Sequence, residues 1–243
     1  MKNTAARLVL GTLFLALCAA PARASNKVSS PDITAGLTEL EYRGGIDFDE
    51  SPRKNLQETD KFVVNHGFTD RWRLEAKLDD AGRRGTDVDT TYAELASRWQ
   101  ILKAGDSWLR LSVQENYKFA LQEILPDKLE QAILAATDTG SLTHTVNIYF
   151  ENELGAHARG GTDFNFGWKT LYNYDPRFSP GAETYVDFGK FGSSSRVSPD
   201  KYQAGPVIAG KFNGGFRYEA GWLFGANKAV PDGRLKLILT YGF

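Results

Sequence analysis

Residues 71–79 read Arg-Trp-Arg-Leu-Glu-Ala-Lys-Leu-Asp. Trp72, Leu74, Ala76 and Leu78 share one parity, and Arg71, Arg73, Glu75, Lys77 and Asp79 share the other. Side chains alternate faces along an extended chain, so a strand here has one apolar face and one charged face. A helix, at about 3.6 residues per turn, would scatter both sets around its surface. The stretch is a β-strand, and its polar face is as sharply defined as its apolar one.

The same period runs outward in both directions. In 163–172, Phe164, Phe166, Trp168 and Tyr172 oppose Asp163, Asn165 and Lys169. In 215–225, Phe216, Tyr218, Ala220, Trp222 and Phe224 oppose Arg217 and Glu219. The final stretch sets Leu235, Leu237, Leu239, Tyr241 and Phe243 against Arg234, Lys236, Ile238 and Thr240. Twelve such segments are expected, near 33–48, 59–68, 70–79, 87–100, 108–120, 129–137, 143–154, 162–173, 181–190, 201–212, 215–226 and 233–243. The pattern is weakest at 59–68 and at 129–137, where Leu129, Ile133 and Ala136 also fit helical spacing. Even-to-odd links are mostly tight, as at Thr69-Asp70, Asn213-Gly214 and Asp175 to Pro180. Odd-to-even links such as Asp49 to Glu58, Asp80 to Thr86, Gly192 to Asp200 and Asn227 to Asp232 are longer and more polar.

The chain opens with a leader. Lys2 and Arg7 precede a mostly apolar run, Leu8 to Ala20, too short to cross a bilayer as a helix. Ala22 and Ala24 then form a small-x-small cleavage site, so residues 1–24 read as a signal peptide and 25–243 as one mature domain. The only cysteine, Cys18, falls in the leader. The mature part therefore offers no disulfide, zinc-cysteine site or thiol nucleophile. It carries 26 bases against 30 acids, which argues against a nucleic-acid partner.

Both a soluble β-sandwich and a membrane barrel alternate in this way. The barrel accounts for more. Successive polar faces carry both signs of charge, which suits a wet interior. Trp72, Trp99, Trp168 and Trp222 lie on apolar faces, often toward strand ends, as in the aromatic girdles of outer-membrane barrels. Trp108 departs from this, sharing parity with Arg110 and Ser112. The expected fold is all-β: a closed antiparallel transmembrane barrel of about twelve strands, with short periplasmic turns and longer extracellular loops. Closure pairs every backbone group within the ring, which a bilayer demands.

The turn-and-strand stretches Gly67-Phe68-Thr69-Asp70-Arg71-Trp72, Pro180-Gly181-Ala182-Glu183-Thr184-Tyr185 and Gly205-Pro206-Val207 resemble those of proteobacterial outer-membrane barrels of the transporter type, near the phenol-degradation MetA-pathway barrels. The resemblance implies fold, outer-membrane location and a hint of transport, and it transfers no functional residues. The aromatic end of the last strand, Tyr241 and Phe243, likewise resembles the signal read by the barrel assembly machinery.

Chemistry-bearing residues are few. His66 and His144 share parity with the apolar faces, and His157 lies in the loop 155–161. They are not at ligand spacing, so no metal or cofactor is expected. Ser141, Thr143 and His144 lie close in sequence but at a periplasmic turn, and His157 with Asp163 is a thin pair for a barrel protease. No catalytic site is expected. The functional surface is instead the polar wall, which by parity holds Glu39, Glu41, Arg71, Arg73, Glu75, Lys77, Glu94, Arg98, Lys118, Glu151, Glu153, Lys169, Glu183, Asp187, Lys211, Arg217, Glu219, Arg234 and Lys236. Charges in a narrow barrel must be paired or hydrated. They either line an aqueous path for small polar or amphipathic solutes or fill it as a plug, and twelve strands lie between the filled and open extremes. The mixed signs imply weak ion selectivity. The expected partners are outer-membrane lipid, the assembly machinery and a small solute. A closed adhesive barrel and a barrel hydrolase are the alternatives.

Overall fold

The computed structural model describes residues 27–83, 88–191 and 201–243. The expected signal peptide 1–24, with Ala22, Ala24 and Cys18, the last residues of the expected link 80–86 and the link 192–200 lie outside them. Twelve strands follow in order: β1 (Thr38–Phe48), β2 (Gln57–Gly67), β3 (Trp72–Arg83), β4 (Val88–Leu102), β5 (Leu109–Ala120), β6 (Asp127–Thr139), β7 (Leu142–Leu154), β8 (Thr162–Tyr172), β9 (Ser179–Phe191), β10 (Lys201–Lys211), β11 (Phe216–Gly225) and β12 (Gly233–Gly242). Each pairs antiparallel with its sequence neighbours, and β1 pairs with β12 to close the barrel. At the seam Thr38 N donates to Phe243 O (3.0 Å) and Phe243 N to Thr38 O (2.9 Å).

The barrel is inverted relative to a soluble protein. Leu78, Leu95, Ile101, Val113, Phe119, Trp168 and Phe224 are exposed, while Glu58, Asp60, Glu75, Lys77, Glu94, Arg98 and Glu183 are buried. A closed barrel with an apolar exterior and a polar interior is built to cross a membrane. Aromatic clusters mark both rims. At the short-turn end Phe68 stacks on Trp72 and meets the edge of His66, and Phe212 stacks with Phe216 and Tyr218. Phe150, Phe164 and Phe188 stack at the opposite end, as do Phe48 and Trp222. Trp108 sits in the β4–β5 turn, 79% exposed, beyond the strand whose parity it broke.

The weakly patterned segment near 129–137 is a strand as expected, and one other segment departs from the pattern reading. Residues 127–139 form a full strand with partners on both sides, and no helical turn intervenes. The departure concerns 33–37, expected to begin the first strand. Strand pairing starts only at Thr38. Gly36 adopts φ +74°, a conformation most residues resist, and its N–H donates to Gly67 O at 2.7 Å. This turn sends the preceding residues back into the barrel.

Candidate functional site in the barrel lumen

The segment 28–33 lies against the inner wall, tied mostly through its backbone. Ser29 N donates to Asn147 Oδ1 (2.6 Å), and Asn147 Nδ2 donates to Ser29 O (2.9 Å). Lys169 Nζ donates to Val28 O (3.0 Å), Arg98 to Ser30 O (2.8 Å) and Ser112 Oγ to Pro31 O (2.6 Å). Ile33 N donates to Gln100 Oε1 (3.0 Å). Asp32 adds an ion pair to Arg110 at 2.8 Å. These partners sit on β4, β5, β7 and β8, and Lys27 pairs with Glu41 on β1, across the bore. Val28, Pro31 and Ile33 are buried.

The wall is shaped for this segment. β6 turns Ala132, Leu134 and Ala136 inward, buried and apolar, while Ile133 faces out. Leu134 pairs in register with Ser112 on one side and Asn147 on the other, so it lies beneath residues 29–31. An apolar floor on the inside, opposite an apolar outside, erased the amphipathic signal of this strand. Gly167 gives Val28 its place, since a Cβ there would stand 3.1 Å from Val28 Cγ2.

The charged side chains expected on the lumen wall fall into linked groups. Glu75 lies 2.5 Å from Arg73 and 3.0 Å from Arg98. Glu94 lies 2.7 Å from Lys61 and 3.3 Å from Lys77. Lys236, fully buried, donates to Glu183 (2.6 Å) and Glu219 (2.8 Å), and Glu219 also accepts from Lys169 at 2.5 Å. Lys118 joins Glu151 (2.6 Å), which also holds Lys128. Glu39 meets Arg217 and Arg73 near the short-turn end, where Lys211 is exposed. Toward the long loops, Arg234 holds Asp47 (2.6 Å), Lys201 holds Asp187 (2.5 Å), and Glu153 binds Arg159 and Lys190. Arg71 is a correction. It precedes β3, is exposed, and bonds to Ile101 O and Asp106 of the next turn. Its parity matches the strand, but the strand begins one residue later.

In the connections, the Ser51 N–H holds the Asp49 carboxyl below the usual range, and Lys103 does the same for Asp70. His66 Nδ1 bonds Thr38 Oγ1, and His144 Nδ1 bonds Thr170 Oγ1, both at 2.8 Å, as cross-strand pairs. Asp163 pairs with Lys190. Charge was the criterion for the expected wall, so the neutral side chains that hold the backbone were passed over: Asn147, Ser112 and Gln100. Their signal was present as uncharged amides and hydroxyls on polar-parity positions.

Two cavities occupy the bore. One of about 650 Å³ lies toward the short turns and is lined by Glu39, Arg73, Lys169 and Arg217. The other, about 910 Å³, lies toward the long loops and is lined by Arg43, Lys61, Tyr149 and Arg234. Lys27, Ser29 and Arg98 line both, so the inserted segment is the partition between them.

Fold and lumen define a closed twelve-stranded antiparallel barrel of the outer-membrane kind, apolar outside and polar within. No family model matches the sequence, and no curated protein matches it. Solved structures do share the architecture. An outer-membrane channel from Pseudomonas putida F1 matches with a TM-score of 0.64 and 11% identity, over 90% of this chain and 100% of that one. The KdgM porin matches at 0.57 and 10% identity, over 84% and 99%. The NanC porin matches at 0.58 and 9% identity, over 83% and 98%.

Proposed function

We propose that the protein is an outer-membrane channel for passive passage of small polar or amphipathic solutes, with the segment 28–33 as its constriction. The observation that carries this reading is the pair of cavities meeting at Lys27, Ser29 and Arg98. A barrel stabilised only as a structural rod has no use for two chambers parted by a single peptide. The partition is not a strand of the wall, so moving it joins the chambers without breaking the barrel. A solute would enter the outer chamber, exchange part of its hydration for contacts with wall charges, and pass when the segment shifts. The likeness to solved outer-membrane channels supports the architecture of such a path.

The kinship with the MetA-pathway barrels belongs to the same proposal and rests on the turn stretches beginning at Gly67, Pro180 and Gly205. So does recognition of Tyr241 and Phe243 by the assembly machinery; Phe243 closes the seam against Thr38.

A closed barrel is the competing reading, favoured by the same partition if it never moves. Conductance in planar bilayers separates the two. Refolded mature chain should give discrete steps, and a chain lacking Lys27–Thr34 should give larger or longer-lived ones. A folded barrel that stays silent in both forms would exclude the channel.

A further inference from the structure

Balanced charge along the sequence does not make a balanced surface, and the outer chamber shows why. Its lining carries ten basic side chains, including Arg43, Arg53, Lys61, Lys118 and Arg234, against five carboxylates among the described residues. The inner chamber has six against five. The difference comes from depth. Lys61 and Lys118 each hold two carboxylates: Glu94 (2.7 Å) and Glu130 (2.9 Å) line the chamber with them, whereas their second partners, Asp79 (2.8 Å) and Glu151 (2.6 Å), do not reach it. Arg43 bonds Glu41 through Nε at 2.6 Å, and Glu41 opens only onto the inner chamber. Asp79, Glu151 and Glu41 thus stand behind cations that face the chamber, and this is where its positive excess comes from.

Arg43 has further capacity. Its hydrogen bond among the described residues uses Nε, leaving the two terminal nitrogens of a guanidinium built for bidentate contact with carboxylate. Tyr149 and Tyr185 also line the chamber and offer ring surface beside these charges. Field lines concentrate in a cleft with low-dielectric walls, so such a lining raises the local concentration of counter-ions.

We propose that the outer chamber selects small organic carboxylates, preferentially those with more than one negative charge. This rests on the channel reading and narrows it. A volume of about 910 Å³ admits a multiply charged acid with part of its water. The overall charge of −1 for the chain predicts no such preference, and the low ion selectivity implied by mixed signs is replaced by an anion preference set by depth.

The test is a reversal-potential measurement on the refolded mature chain under a potassium chloride gradient, followed by citrate or spermidine added at the long-loop side. Chloride should permeate about three-fold or more over potassium, and citrate should block in a manner that weakens with salt, spermidine should not. Arg43→Gln and Arg234→Gln should each weaken citrate block about five-fold or more. Arg53→Ala, in an exposed connection, should weaken it without touching the barrel wall. A channel that prefers potassium, or that citrate and spermidine block alike, overturns the carboxylate assignment and leaves the channel reading intact. If neither the intact nor the segment-deleted chain conducts, the channel reading fails. Calorimetry of citrate with the detergent-folded barrel then decides the chamber: salt-sensitive binding lost with Arg43→Gln supports it, and absence of binding refutes it.

Discussion

Replacing Asn147 with alanine should unlatch the inserted segment. Six hydrogen bonds reach the backbone of residues 28–33, and Asn147 makes two of them, at 2.6 and 2.9 Å. At about 1 kcal/mol net per bond these contribute about 6 kcal/mol. Burial of Val28 and Ile33 adds about 4 kcal/mol. Holding the backbone of six or so residues costs about 1–2 kcal/mol each, so the opposing side is about 9 kcal/mol. The segment is therefore poised close to balance, and small changes in its anchors are large in population. Losing both Asn147 bonds removes about 2 kcal/mol, which shifts the docked-to-released ratio about 30-fold. With the docked state favoured by about 1 kcal/mol, single-channel recording should show open probability rising about five-fold, from about one in six to about five in six, while the conductance of the open level stays the same. Ser29→Cys supplies a second readout, because Ser29 is 8% exposed and its thiol should react slowly with a methanethiosulfonate reagent. Adding Asn147→Ala should speed that reaction about five-fold, in step with the released fraction. Unchanged gating and labelling in a barrel that still shifts on heating in gels would refute the latch.

Gly167→Leu should do the same from the other side, since the new side chain would occupy the place of Val28, and its open level should match that of the chain lacking Lys27–Thr34. Lys236→Met should lower stability by about 3–5 kcal/mol, because it strips Glu183 of its buried cation and leaves Glu219 with Lys169 alone; urea refolding into vesicles measures the loss. Leu95→Arg, exposed midway along β4, should cost about 2–4 kcal/mol in vesicles and little in a detergent that tolerates polar surface. Should Leu95→Arg be neutral in vesicles, the outward face assigned to the apolar parity is wrong.

Alternation alone gave the strands, because each strand must satisfy lipid on one side and water or counter-charge on the other. All twelve expected segments correspond to strands, with ends displaced by a few residues. The tight turns at Thr69-Asp70 and Asn213-Gly214 fall between strands as read. The pattern weakens where a third phase enters. On β6 the inner face meets the segment 28–33 instead of water, so Leu134 and Ala136 look like a second outside. Residues 33–37 were drawn into the first strand because Ile33, Gly36 and Leu37 carry no signal of inward folding that local chemistry can distinguish from an extended start. That path is set by Asn147, Ser112 and Lys169, more than seventy residues away, and no local window contains both ends of those bonds. Parity assigns each charged residue to a face and says nothing of its neighbours across strands. Which of them face the cavity and which stand behind depends on side-chain length across neighbouring strands, a three-dimensional property.

The bonds that hold residues 28–31 end on peptide atoms, the N–H of Ser29 and four successive carbonyl oxygens, and not on side-chain groups of that segment. Any extended peptide with a tolerable shape presents those same atoms. The closing specificity is thus written in the barrel and merely quoted by the segment. A chain of this design can change the spelling of its first ordered residues while keeping the closure, and it can retune the closure by a single wall residue while leaving that spelling alone.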